Sequence, residues 1–229
     1  MTAVNGAAPV SEIEFREFDS RAEASQALAD ELAWVLTEAL NRKDSAALVV
    51  SGGSTPAPMF SILRELDVTW QLVTVVPSDE REVEPDHPDR NEAMIRRELL
   101  AGPAADARLV SLIPPGEIPG AFDAVVLGMG DDGHTASLFP ATSQLKERKR
   151  SVVATTSPFA PYQRISLTVP AINRARTVCL LVTGSEKASR LAEVLQQINA
   201  GHPELPSSLV QPTSGQLLWL IDDRAAAQL

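Results

Sequence analysis

Cysteine is almost absent from this chain of 229 residues, and Cys179 is the single one. An intrachain disulfide is therefore excluded, and so is a Cys-x-x-Cys metal site. Cys179 lies in the apolar run 177–182, where we expect a small buried hydrophobic residue rather than a reactive thiol. The lack of a disulfide framework fits a reducing compartment, and we predict a cytoplasmic protein.

Long apolar runs are missing as well. No segment reaches the roughly 18 consecutive apolar residues of a membrane-spanning helix, and residues 1–10 lack the basic start and apolar centre of a signal peptide. Lys and Arg number 20 against 30 Asp and Glu, which gives a net charge of −10. Such a charge repels phosphate polymers. We predict no membrane and no nucleic acid as partners.

Several catalytic classes lack their residues. Histidine occurs three times, with no pair at the spacing of a zinc site, so we predict no metal. No G-x-S-x-G elbow supports a serine hydrolase. No Gly-Lys-Ser/Thr sequence follows a glycine-rich loop, which argues against a site for a nucleoside triphosphate.

Apolar strands and amphipathic helices are what the sequence does contain. Strands are predicted at 13–18, 46–50, 72–76, 109–113, 122–127, 165–169, 176–183 and 217–221. Helices are predicted at 20–41 with Asp19 or Ser20 as N-cap, at 56–66 with Pro56 in its first position, at 89–100, and after Asp222. The interior strands are apolar throughout, as in parallel sheets that are buried on both faces.

These patterns predict an α/β fold. We expect a Rossmann-like, mostly parallel sheet with helices on both faces, an edge strand at 13–18, and a few marginal antiparallel strands. Residues 1–11 are predicted to be a flexible leader, and 12–229 a single α/β domain. In such sheets ligands bind at the carboxyl ends of the strands. The loops after Val50, Val76, Leu127 and Val182 are therefore expected to form one site.

The first of these loops, Ser51-Gly-Gly-Ser-Thr-Pro56, is rich in glycine and hydroxyl groups. Glycine permits close approach of the backbone, and free N–H groups at the start of a helix suit a phosphate. A plain turn with a Ser or Thr cap is the alternative.

Isolated cations are significant in so acidic a chain, because an anionic ligand would need them locally. Arg81 ends the cluster Ser78-Asp-Glu-Arg81 directly after a predicted strand, where it could clamp an anion. Arg164 begins another strand. Lys187 falls in the first turn of a helix, where the helix dipole disfavours a cation unless an anion binds nearby. Ordinary surface charges are the alternative for all three.

The loop from Gly128 to His134 contains the pattern G-x-G-x-x-G. As a dinucleotide fingerprint it would place Asp131 and Asp132 against a pyrophosphate, and Pro140 would cut short the helix that the fingerprint requires. We therefore reject that interpretation. His134 remains, and imidazole can take and return a proton near neutral pH. A structural histidine is the alternative.

Six motifs, taken in order, resemble the 6-phosphogluconolactonase family, within the glucosamine/galactosamine-6-phosphate isomerase superfamily. They are Ser51-Gly-Gly-Ser-Thr-Pro56, Asp79-Glu-Arg81, Arg90-Asn91, Leu127-Gly-Met-Gly-Asp-Asp-Gly-His-Thr-Ala-Ser-Leu-Phe-Pro140, Arg164-Ile-Ser-Leu-Thr168 and Gly184-Ser-Glu-Lys187. The resemblance spans residues 12 to 225, and its most specific part is 132–140.

The resemblance implies hydrolysis of 6-phospho-D-glucono-1,5-lactone to 6-phosphogluconate in the oxidative pentose phosphate pathway, without metal or organic cofactor. The expected partner is a small phosphorylated sugar lactone, bound by a monomer or homodimer. Related deaminases carry a glutamate just before the proline of this motif, where Phe139 stands here, and this difference favours the lactonase. A glucosamine-6-phosphate deaminase or isomerase and a non-catalytic phosphosugar sensor are the alternatives.

The resemblance also assigns roles. His134 is expected to be the general base, Asp132 to orient the histidine or the water, and the N–H groups of 128–133 to stabilise an oxyanion. The expected substrate-binding or phosphate-binding residues are Ser51, Gly52, Gly53, Ser54, Thr55, Asp79, Arg81, Asn91, Gly130, Arg164 and Lys187. The sequence departs from the family pattern at Glu82, Glu84 and Arg90. These departures are expected to alter the rim of the substrate pocket and not the chemistry.

Overall fold

The computed structural model describes residues 13–161 and 163–229; the predicted leader at 1–11 lies outside them. The strands are β1 Ile13–Phe18, β2 Ala46–Val50, β3 Val73–Pro77, β4 Asp79–Arg81, β5 Arg108–Leu109, β6 Ala124–Leu127, β7 Val152–Thr156, β8 Gln163–Leu167, β9 Thr177–Val182 and β10 Gln216–Asp222. The α-helices are α1 Arg21–Arg42, α2 Ala57–Leu63, α3 Asn91–Glu98, α4 Val169–Ile172, α5 Ala188–Asn199 and α6 Asp223–Ala226.

Seven strands form a parallel sheet in the order β1-β10-β9-β6-β2-β3-β5, which confirms the predicted α/β class. Strand β1 lies at one edge, as predicted. The other three strands form a separate antiparallel sheet in the order β4-β8-β7. The alternating strand predicted at 165–169 is β8, and it belongs to this small sheet.

Both faces of the large sheet are covered, because successive side chains of a strand point to opposite sides. Leu48 and Val50 pack with α1, α2 and α3, whereas Val49 packs on the opposite side with α4, α5 and α6. Cys179 is fully buried in β9, as predicted, and burial raises the pKa of its thiol. The apolar strands therefore sit between two layers of helices.

Some element boundaries differ from the prediction. Ser20 is the N-cap of α1, and its hydroxyl accepts a hydrogen bond from the N–H of Glu23 at 3.3 Å. Helix α2 is shorter than predicted, and Pro56 is its N-cap rather than its first residue. The strand predicted at 109–113 is reduced to β5, because the chain turns at Leu112, which forms an isolated bridge to Pro115. Proline has no N–H to extend a ladder.

The order of strands places a topological switch between β2 and β6. From β2 the chain continues to β3 on one side, whereas from β6 it reaches β9 on the other. The loops that leave these two neighbouring strands therefore diverge and open a crevice at their carboxyl ends. Separately, none of the helices in the described ranges has both the length and the apolar character to cross a membrane.

We expect Leu180→Ala to destabilise the fold by about 2–5 kcal/mol, because it leaves a cavity in the packed core. Leu180 is fully buried at the centre of β9. Urea unfolding measures the free energy of unfolding. As a control, Leu72→Ala removes a leucine that is 42% exposed and should change this free energy by no more than about 0.5 kcal/mol. Equal effects of the two substitutions would contradict this description of the core.

Candidate active site

An open cavity of about 310 Å³ lies at the carboxyl ends of β2, β6 and β9. Its lining brings together His134 and every residue expected to bind substrate or phosphate: Ser51, Gly52, Gly53, Ser54, Thr55, Asp79, Arg81, Asn91, Gly130, Arg164 and Lys187. Asp132 is not part of the lining and hydrogen-bonds to His134. Loops far apart in sequence thus meet at the switch point of the sheet.

Asp132 holds the imidazole ring of His134. Its Oδ1 lies 2.6 Å from Nδ1 and also accepts the backbone N–H of His134 at 3.0 Å. A carboxylate can only accept hydrogen bonds, so Nδ1 carries the proton and Nε2 presents a lone pair. Among the described residues, Nε2 has no hydrogen-bond partner. The ring therefore offers a basic nitrogen at the cavity.

The charge state of Asp132 supports this arrangement. Burial by itself would raise the pKa of its carboxyl group, but the hydrogen bond from the backbone N–H of His134 and the interactions with its imidazole ring outweigh burial. The pKa of Asp132 consequently lies below its ordinary value. The carboxylate is ionised at neutral pH and is available as an acceptor.

Two further residues fix the plane of the imidazole. The ring of Phe139 lies 4.9 Å from that of His134, measured between centroids, at an angle of 45°. A Cβ atom at position 130 would overlap Nδ1 of His134, so only glycine fits there. The ring is held between these neighbours and Asp132.

The backbone of the 128–134 loop forms a closed turn. The N–H of Gly130 donates to the carbonyl of His134, and that of Gly133 donates to the carbonyl of Gly130, each at 2.9 Å. These two N–H groups are not available to an oxyanion, so the role expected for 128–133 stays a prediction for the other N–H groups of the loop. The chain after Gly133 turns without forming a helix, and its next regular segment is a 3-10 helix at Ser143–Lys146. The loop therefore lacks the helix of a dinucleotide fingerprint.

The 51–55 loop presents unpaired backbone donors. The hydroxyl of Ser51 donates to the carbonyl of Val126 at 3.1 Å, which ties β2 to β6. A Cβ atom at Gly52 would overlap the side-chain oxygen of Asn91, and Gly53 has a φ of +98°. Among the described residues, the N–H groups of 52–55 have no hydrogen-bond acceptor. They are free to bind an anion.

Arg81 and Arg164 stand opposite each other on β4 and β8. Arg81 donates to the side-chain oxygen of Asn91 and, at 3.1 Å, to the carbonyl of Asp89. Arg164 donates to the carbonyl of Pro161 at 2.9 Å. Burial and then the charge of Arg81 lower the pKa of Arg164. An anion placed between the two guanidinium groups would relieve this repulsion.

Asp79 lies at the base of the cavity and is buried. Its two carboxylate oxygens accept hydrogen bonds from the hydroxyl groups of Ser78 at 2.9 Å and Ser137 at 2.6 Å. Arg164 approaches the same carboxylate at 3.9 Å. Asp79 thus connects the region after β3 to the His134 motif and to β8.

Lys187 directly precedes α5, close to its predicted place. Its Nζ forms an ion pair with Asp131, whose side chain is 75% exposed, whereas that of Lys187 is 19% exposed. Asp131, the residue before Asp132, therefore holds the amine of Lys187 at the edge of the cavity.

Glu80 is a supporting residue that the sequence reasoning missed. It is fully buried and accepts the backbone N–H groups of Arg81, Asn91 and Glu92 at 2.7–2.8 Å. It thereby caps α3 and fixes two cavity residues, while burial raises the pKa of its carboxyl group. The signal lay in strand periodicity, because Asp79 and Arg81 face one side of a strand and Glu80 the other.

Arg90, a departure from the family pattern, is 4% exposed. It donates to the carbonyls of Val83 and Ile113 at 2.9 and 3.0 Å, and lies 3.5 Å from Glu80. This side chain therefore ties the rim segment 82–90 to the body of the protein.

Comparison with known proteins identifies the family. A family model described as glucosamine-6-phosphate isomerases/6-phosphogluconolactonase matches residues 19–117 and 104–219. The chain belongs to this family. The matched ranges include every candidate site residue of this chain, from Ser51 to Lys187.

Individual relatives in this family are similar over most of their length. The chain is 37% identical to a 6-phosphogluconolactonase from Nostoc sp., with 85% of this chain and 89% of that protein covered. A crystal structure of a 6-phosphogluconolactonase from Shewanella baltica has a TM-score of 0.83 at 32% identity, covering 93% of this chain and 99% of that one. A monomeric glucosamine-6-phosphate deaminase has a TM-score of 0.74 at 22% identity, covering 94% and 100%, which shows the shared fold alone.

We expect Gly130→Ala to displace the imidazole of His134, because the added methyl group overlaps Nδ1. In a crystal structure of this variant, the distance from Nδ1 to Asp132 Oδ1 should exceed hydrogen-bonding range. Gly128→Ala is the matched control in the same loop, since a Cβ atom there meets nothing within 4 Å. An unchanged His134–Asp132 distance in Gly130→Ala would contradict the steric argument.

Proposed function

We propose that this chain hydrolyses 6-phospho-D-glucono-1,5-lactone to 6-phospho-D-gluconate in the oxidative pentose phosphate pathway, with His134 as the general base. The observation that carries the proposal is the free Nε2 of His134 facing a cavity that is lined by cations, with Nδ1 held by Asp132. The 6-phosphogluconolactonases among the relatives support the same activity.

Binding starts with the phosphate group of the substrate. One cavity contains hydrogen-bond donors that suit an ionised phosphate: the N–H groups of 52–55 and the side chains of Arg81, Arg164 and Lys187. The global charge of −10 opposes an anion, so this local concentration of donors is what makes binding favourable. The role of these residues is to fix the lactone carbonyl near His134.

The chemical step then needs one base and one acid. Nε2 of His134 removes a proton from water as the water oxygen bonds to C1, and the negative charge moves to the carbonyl oxygen. The tetrahedral intermediate collapses, the bond from C1 to the ring oxygen breaks, and the imidazolium returns the proton to that oxygen. Lactone and water thus become the open acid, with His134 regenerated.

The alternatives from the sequence are a phosphosugar deaminase or isomerase and a non-catalytic sensor. At position 139 a phenylalanine ring packs on His134, and no carboxylate is offered at this point for ring opening or deamination. This contact favours the lactonase. Formation of fructose 6-phosphate from glucosamine 6-phosphate tests the first alternative, and lactone hydrolysis above the spontaneous rate tests the second. A cytoplasmic location and a monomeric or homodimeric state stay predictions.

We expect His134→Ala to lower kcat by about 10²–10⁴-fold, the range that general base catalysis supplies. NMR of freshly prepared phosphogluconolactone, corrected for spontaneous hydrolysis, measures the rate. His202→Ala, which removes an exposed histidine outside the cavity, is the control and should keep parental turnover. Near-normal turnover in His134→Ala would eliminate His134 as the base.

A further inference from the structure

Arg21 lies behind the 51–55 loop, at the first position of α1. Its Nη2 donates to the carbonyl oxygens of Ser54 and Thr55, the latter at 3.1 Å. Arg21 is not among the residues that line the cavity, whereas both of its partners are. The guanidinium group therefore holds the loop from its outer side.

This contact determines which way one backbone donor points. The carbonyl of Ser54 and the N–H of Thr55 belong to the same peptide group, and in a trans peptide the two point in opposite directions. Since the carbonyl of Ser54 accepts from Arg21, the N–H of Thr55 points away from Arg21. Ser54 and Thr55 both line the cavity, whereas Arg21 does not. Arg21 thus orients a donor that an anion can use.

The charge of Arg21 points to the same conclusion. A cation in the first turn of a helix is opposed by the helix dipole, so this position is unfavourable unless negative partners are present. Among the described residues, the hydrogen-bond partners of Arg21 are two carbonyls and no carboxylate, and its buried Nε has no partner. An undiminished positive charge therefore stands behind the loop.

We propose that Arg21 is a positioning residue for phosphate binding: it orients the 51–55 loop and adds an uncompensated positive charge behind it. The ligand chemistry is that of a phosphate monoester. The inference rests on the proposed function for the choice of 6-phosphogluconate as the ligand, but not on hydrolysis of the lactone.

The test compares Arg21→Gln and Arg21→Lys with Arg42→Gln. Arg42 ends the same helix, about 32 Å away at 1.5 Å per residue, and its side chain is 39% exposed. We expect Arg21→Gln to raise both the Kd for 6-phosphogluconate, measured by calorimetry, and KM for the lactone by about tenfold, with kcat within about twofold. Arg21→Lys keeps the charge and should raise Kd by about threefold. Arg42→Gln should keep the parental Kd.

The outcomes separate this inference from the proposed function. If the parent protein binds 6-phosphogluconate but does not hydrolyse the lactone, the proposed function fails, and a raised Kd in Arg21→Gln still supports the inference. A parental Kd in Arg21→Gln, or a parent protein that does not bind 6-phosphogluconate, overturns it. Should Arg21→Gln fail to fold, Arg21→Lys decides, and a parental Kd in that variant overturns the inference.

Discussion

The hydrogen bond from His134 Nδ1 to Asp132 is the interaction on which the account of the site depends. At 2.6 Å it fixes both the orientation and the tautomer of the ring, and so it leaves Nε2 unprotonated and free of Asp132. The features around it serve the same geometry: Gly130 leaves room for the ring, Phe139 packs against its face, and the turn at Gly133 brings Asp132 within reach. Without this bond, the cavity would hold an anion but would lack a base with a defined orientation.

Charge is the second constraint. The protein carries a net charge of −10, yet one crevice contains Arg81, Arg164 and Lys187, with Arg21 behind its loop. The hydrogen bonds of the arginines go to neutral oxygens, and Lys187 pairs with Asp131 at the edge of the site. Among the described residues, Asp79 is the one carboxylate of the lining, and it lies 3.9 Å from Arg164. The switch point of the sheet makes this grouping of cations possible, since it brings together loops from separate strands. The fold thus creates a local field opposite in sign to that of the whole molecule.

Much of this could be predicted from sequence, and the misses have physical causes. Strands β2 and β9 were predicted to within one residue, because a continuous apolar run is stable only inside a sheet that is covered on both faces. Strand β4, with the sequence Asp-Glu-Arg, was missed because its buried charges are satisfied by donors such as the N–H groups of Asn91 and Glu92, which are distant in sequence. The contacts of Arg21 have no sequence signature either, since its partners are main-chain carbonyls 33 and 34 residues away.

The central claim is that His134 faces the cavity with an unprotonated Nε2 because Asp132 holds the proton on Nδ1. ¹⁵N NMR of the histidine side chains at neutral pH, with the His134 signals assigned by their loss in His134→Ala, tests it most directly. The account predicts a proton on Nδ1 of neutral His134, and a change of tautomer in Asp132→Ala, which removes the acceptor. A proton on Nε2 in the parent protein, or the same tautomer in both proteins, would contradict it.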